Sequence, residues 1–366
     1  MTSRERMLTA INNGKPDRLP GQVHGWMAYY INTYLGGCDH FEAYERFGLD
    51  MAIYCGARWE FDEKSLAKWQ VEHTDLGTDS SGVHSWIDTV KTPGGELRSA
   101  GAGNPITVWV TEPLVKNEHD FELFNKYVPV PSKADGTPVR QVLERLGDRG
   151  ITRGGIWAYG QVGPWQSFCY LVGTQEAIMF AIDKPDWVHH VEQSMVEKHL
   201  KVIELMAGEV PMDLIEIGGG AGSNTVISPK LHAEFCVPYD KQQVDALHAA
   251  GYKVVYHLCG GLMKMLDNVL ANGSDGLETM TPPSMGGDCD LAECTRQVGD
   301  KRFFVGGFDQ SQGFERGTPE NVREQVFRLH AACPDGGYIC CPSDHFFHGD
   351  PANLQAFADA LKECVY

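Results

Sequence analysis

Lys253-Val-Val-Tyr-His257-Leu-Cys259-Gly-Gly261 is the stretch on which the reading of the fold turns. A β-rich apolar run ends in a histidine and a cysteine two residues apart, then breaks into glycines. Residues i and i+2 of an extended segment point the same way. His257 and Cys259 therefore present an imidazole and a thiol to one spot. That pair suits Zn²⁺, which takes three or four such ligands. The run reads as an inner barrel strand, and active sites are built at the carboxyl ends of such strands. A core histidine beside an inert buried thiol is the blander reading of the same residues.

Outward from this strand the chain repeats one pattern, a short apolar run followed by a helical stretch. The strands expected are Gln22–His24, Met51–Cys55, Gly155–Tyr159, Leu214–Ile217, Val254–His257, Gly276–Thr279, Phe303–Gly306 and Tyr338–Cys341. Helices are expected at Arg4–Asn12, Pro138–Leu146, Thr174–Ile182, Trp187–Met206, Pro229–Ala249, Leu262–Asn272, Leu291–Val298, Pro319–Ala332 and Ala352–Glu363. Ser228-Pro229 and Thr318-Pro319 each set a hydroxyl cap before a proline at the first helical position. Strands alternating with helices in this number predict an α/β fold, a (β/α)8 TIM barrel forming a single domain over 1–366. An insertion after the second strand, residues 64–129, reads as antiparallel hairpins that form a lid or side sheet. A doubly wound open sheet is the alternative. Gly218-Gly-Gly-Ala-Gly222 lacks the spacing of a dinucleotide loop, and the next helix starts only near Pro229.

Composition narrows the function classes. The chain has 366 residues, 42% hydrophobic and 22% charged, with a formal charge of −18, which argues against a nucleic-acid surface. No run of apolar residues is long enough to span a membrane and no signal peptide is read, so a cytoplasmic protein is expected. The eleven cysteines have no regular spacing and read as reduced thiols.

Several polar residues fall just past expected strand ends, which converge on one mouth in a barrel. They are His24, Gln161 with Trp165, Glu216, His257 with Cys259, Glu278, Asp309 with Gln310, and Asp344 with His345. A metal site needs a third ligand. The loop after the last strand offers Asp344 or His345, whereas of Cys340 and Cys341 at most one can point inward. Asp309, Glu216 and His345 are the candidate acid, base or orienting groups. His24, Trp26, Tyr159, Gln161 and Trp165 are candidates for the substrate wall, although barrel packing explains aromatics equally well.

These motifs resemble a known family. Arg4-Glu-Arg-Met-Leu-Thr-Ala-Ile-Asn-Asn-Gly-Lys-Pro-Asp-Arg-Leu-Pro20, Ser228-Pro229, His248-Ala-Ala-Gly251, Tyr256-His-Leu-Cys-Gly-Gly261, Gly306-Gly-Phe-Asp309 and Gly317-Thr-Pro-Glu320 together are similar to the uroporphyrinogen decarboxylase superfamily. The resemblance implies a TIM barrel. It also implies one of two chemistries. The decarboxylases carry an arginine-rich segment after the first strand; here Gly21–Tyr30 has no arginine. The corrinoid-dependent methyltransferases carry a His-x-Cys pair and a late cysteine that bind zinc. This chain matches the pair at His257 and Cys259 and departs at the third position, where Asp344, Ser343 or His345 stands.

The resemblance therefore implies zinc at His257, Cys259 and Asp344, with His345, Glu278 or a cysteine as alternative third ligands. An oxygen ligand in place of a thiolate makes the metal a stronger Lewis acid. Methyl removal from a methoxylated aromatic substrate is thus expected over delivery to a thiol. No Asp-x-His-x-x-Gly occurs in the chain, so the corrinoid (cobalamin) is expected on a partner protein. A homodimer is compatible with this class. The competing readings are a decarboxylase-like lyase for a smaller carboxylate, a methylcobamide:thiol methyltransferase, and a metal-free partner subunit.

Overall fold

A computed structural model of the protein describes residues 1–366. Seven parallel strands form one curled sheet in sequence order: Met51–Tyr54 (β1), Gly150–Gly154 (β2), Leu214–Gly218 (β3), Val254–His257 (β4), Gly276–Thr279 (β5), Phe303–Phe308 (β6) and Tyr338–Pro342 (β7). Helices alternate with them on the outside. This is the TIM-barrel-like α/β fold that the alternation predicts.

The expected first strand, Gln22–His24, is corrected to a single bridge between Gly21 and Cys340. It still closes the ring. Cys340 N–H donates to the Pro20 carbonyl at 2.9 Å, Gln22 N–H to Cys340 at 3.1 Å, and Asp50 N–H to Gly21 at 3.0 Å. Pro20 has no N–H to extend the ladder. The strand expected at Gly155–Tyr159 is also corrected, because pairing with β1 and β3 places it at Gly150–Gly154. A Cβ on Gly150 would lie 1.9 Å from the Met51 carbonyl oxygen, so glycine is what lets the two strands pass. The helix expected over Pro229–Ala249 is two, Pro229–Phe235 and Val237–Ala249, broken at Cys236 just before Pro238.

Period-two alternation sorts the strand residues onto two faces. Ala52, Ile151, Leu214, Val255, Phe303, Val305, Ile339 and Cys341 form an inner apolar cluster. Met7, Ala10 and Ile11 plug it from below; they lie on a helix, Ser3–Ile11, fixed by a capping box between Thr2 and Glu5. The residues facing outward, such as Val254 and Tyr256, join the larger core beneath the helices.

Between β1 and β2 the chain makes a four-stranded antiparallel sheet, Gln70–Thr78, His84–Thr92, Gly95–Gly103 and Val108–Glu112, in that order. A helix follows at Glu118–Tyr127, and a two-stranded ribbon pairs Arg58–Glu60 with Lys133–Asp135. No helix is long and apolar enough to cross a membrane.

Candidate active site

Two residues beyond the apolar layer, the same inward face turns polar. Tyr54, Arg153, Glu216, His257 and Glu278 end β1 to β5. Arg153 and Glu278 are each 1% exposed, and the Arg153 Nη2 donates to Glu278 at 2.7 and 2.9 Å and to Glu216 at 2.7 Å. The guanidinium carbon also lies 4.6 Å from the Tyr54 ring centroid, and the Tyr54 hydroxyl donates to Glu216. Burial opposes charge on Glu278, yet Arg153 and His257 hold its carboxyl well below the usual range.

His257 Nδ1 lies 3.0 Å from Glu278 Oε1 and 3.6 Å from Glu216 Oε1. Burial works against a proton on this ring, but the Cys259 thiol and the two carboxylates outweigh it and raise its pKa well above the ordinary value. The site thus draws positive charge to His257. A carboxylate on one imidazole nitrogen, with the other left for a ligand, is also the arrangement found around metal-bound histidines. Burial pushes the neighbouring His24 down to about 4, so that ring is neutral near pH 7.

A cavity of about 640 Å³ opens above this layer. His24, Trp26, Gln161, Glu216, His257, Cys259, Asp344 and His345 all line it, with Tyr54 and Gln166. Eight of the candidate residues, from five strand ends, therefore line one cavity. The glycine loop after β3 makes room for them. A Cβ on Gly220 would lie 2.5 Å from Cys259 Sγ, so glycine is needed for the thiol to sit there. The donor atoms fall into two sets, each within 4.8 Å of one another: Glu216, His257 and Glu278, and His24, Asp344 and His345. Cys259 belongs to neither set, and Asp344 groups with His24 rather than with His257.

Three expected site residues lie elsewhere. Trp165 is 2% exposed and donates its Nε1 to the Ala221 carbonyl at 3.0 Å, so it is core. Tyr159 packs on Phe124 and Tyr170 and lines a groove beside the antiparallel sheet. Both follow from the strand ending at Gly154 instead of Tyr159. Asp309 lines a different depression with Gln312, Glu324 and Arg328. One of its oxygens accepts from the Gln312 N–H at 2.9 Å. Cys340 and Cys341 are both fully buried. Arg153 was not read as a site residue, because the misplaced strand hid it. The alternation of Ile151 and Arg153 after Gly150 is the signal that points to it.

Fold and site together define an α/β barrel with a polar pocket at the carboxyl ends of its parallel strands. The chain belongs to the uroporphyrinogen decarboxylase (URO-D) family, whose model matches residues 109–364. Among curated protein sequences nothing matches it. Among solved structures it is similar to a methyltransferase from Methanosarcina mazei, with a TM-score of 0.64 at 14% identity over 99% of both chains. It is also similar to a B12-independent methionine synthase from Shewanella sp. W3-18-1, with a TM-score of 0.43 at 12% identity over 96% of this chain and 95% of the other.

Proposed function

We propose that the protein is a methyltransferase that takes the methyl group of a methoxylated aromatic substrate and passes it to the Co(I) corrinoid of a partner protein. The observation that carries this reading is the convergence of His257, Cys259, Asp344 and His345 on one cavity. The Methanosarcina mazei protein that shares the fold is a methyltransferase.

The donor chemistry fits a resident zinc ion. The Glu278 contact on Nδ1 orients His257, and the Cys259 thiol stands beside the same ring. His257, Cys259 and Asp344 are the residues assigned to hold it. Bound there, zinc supplies positive charge to the substrate oxygen as the carbon–oxygen bond breaks. Trp26 offers an aromatic edge to the substrate ring, and Gln161 an amide to its substituents. His24 supports the same wall. Glu216 and His345, which line the cavity, are assigned to deliver a proton to the departing phenolate, which keeps the electron pair of the broken bond.

Arg153 bears on the choice between chemistries. It is shut off from solvent and its charge is matched by Glu216 and Glu278. It does not line the cavity wall and offers no grip to a carboxylated substrate, which weighs against a decarboxylase.

The test is methyl transfer from a panel of methoxyphenols to a reduced corrinoid protein, followed by the corrinoid absorbance. Loss of the Co(I) band with release of the free phenol is expected. Carbon dioxide released from a carboxylated substrate, without demethylation, overturns the reading.

A further inference from the structure

Barrel closure places two strand ends side by side. Gly21 pairs with Cys340, so the chain leaving that bridge on one side reaches His24 three residues on, and on the other reaches Asp344 and His345. Both exits lead into the cavity lining, and their donor atoms lie within 4.8 Å of one another. His24 is 6% exposed and faces the cavity. His345 Nδ1 is buried with no hydrogen-bond partner. A Cβ on Gly25 would stand 3.0 Å from His345 Cε1, so the glycine beside His24 is what lets the second imidazole come this close.

The two donor sets are not equivalent. Glu216, His257 and Glu278 already share Arg153, whose guanidinium keeps its proton at any ordinary pH, and a dication placed among them meets that charge directly. The His24 set holds no arginine or lysine. Its two imidazoles and one carboxylate match the ligands of zinc and other first-row divalent ions. The ring spacing agrees. Two imidazoles sharing one tetrahedral ion at a nitrogen distance of about 2.1 Å have centroids about 5 Å apart. His24 lies 4.8 Å from His345 and 5.4 Å from His257, centroid to centroid.

We propose that His24 is a ligand of the cavity's divalent ion, which His24, Asp344 and His345 clamp on one side of the mouth with His257 facing it from the other. This rests on the reading that the cavity binds a metal ion, and it adds a ligand from the first strand end to those assigned there.

The experiment is titration of Zn²⁺ or Co²⁺ into the metal-free, reduced chain against a chromophoric chelator. It uses wild type, His24→Ala, His24→Cys and Cys259→Ser, with metal-free thermal unfolding as the control for folding. Wild type is expected to bind one ion, and His24→Ala to weaken binding by more than the roughly 10–100-fold that losing an outer partner produces. His24→Cys is expected to keep the ion and to add a thiolate-to-cobalt band in the near ultraviolet, a gain that no structural role of His24 would produce. Unchanged affinity in His24→Ala, or no added band in His24→Cys, overturns the proposal. If Cys259→Ser abolishes binding while His24→Ala leaves it unchanged, this inference fails while the zinc reading stands. If wild type binds no ion, both fail. If binding needs His24 but no methyl transfer is found, the ligand assignment holds and the proposed activity falls.

Discussion

Arg153 donates both of its Glu278 hydrogen bonds, at 2.7 and 2.9 Å, through the same Nη2 that also reaches Glu216. Its Nε and Nη1 are buried without partners. The cation is therefore held by charge more than by a complete set of hydrogen bonds. Removing one member of a buried ion pair leaves the other uncompensated, which costs more than the pair itself contributes.

Arg153→Met is expected to destabilise the protein by about 3–5 kcal/mol, the range for breaking a buried pair. Adding Glu278→Gln should recover part of the loss, since a neutral amide needs no counter-charge. Urea unfolding of the single and double variants measures this. A loss below about 1 kcal/mol for Arg153→Met would show the pair to be energetically idle.

Asp240 gives a pH test away from the mouth. It is 2% exposed and accepts a hydrogen bond from the Tyr256 hydroxyl at 2.7 Å, and burial lifts its pKa to about 7. The folded state thus holds the proton more tightly than the unfolded chain. The stabilisation is fully present below pH about 4 and is lost as pH rises through about 7, an amount on the order of 4 kcal/mol. Asp240→Asn removes the titration, so its stability relative to wild type should rise from pH 5 to pH 8. Parallel stability–pH curves for the two proteins would rule out the assignment.

Cys259→Ser tests the metal reading with little threat to folding, because Cys259 is half-buried at a loop. Purified wild type is expected to retain zinc after gel filtration, and the variant to lose most of it. Chelation should abolish methyl transfer by wild type and added Zn²⁺ should restore it. Full activity in the presence of the chelator would count against zinc.

Trp165 separates packing from binding. Its indole N–H is spent on the Ala221 carbonyl within the core. Trp165→Phe should lower stability by about 1–3 kcal/mol through the orphaned acceptor. It should leave the substrate KM unchanged, and a raised KM at unchanged stability would return Trp165 to the pocket.

Much of the barrel was legible because a buried parallel strand is a short apolar run closed by a turn residue. Val254–His257 and Gly276–Thr279 lie where that rule puts them. It failed where glycine and proline dominate. Gly150-Ile-Thr-Arg-Gly154 has few apolar residues, and the neighbouring Ile156 and Trp157 drew the strand toward them, carrying Tyr159 and Trp165 into the expected site. Within β2 the side-chain period survives the error: Ile151 falls in the apolar layer and Arg153 in the polar one.

By itself the sequence determined the alternation, the carboxyl-end placement of His257 and Cys259, and the family motifs, because each depends on spacing along a few residues. Only the tertiary structure decided which donors meet. His24 and His345 become neighbours through ring closure between Gly21 and Cys340, and Arg153 finds Glu278 across three strands, 125 residues away. Such contacts depend on burial and on the closed geometry of the whole sheet, which no local pattern encodes.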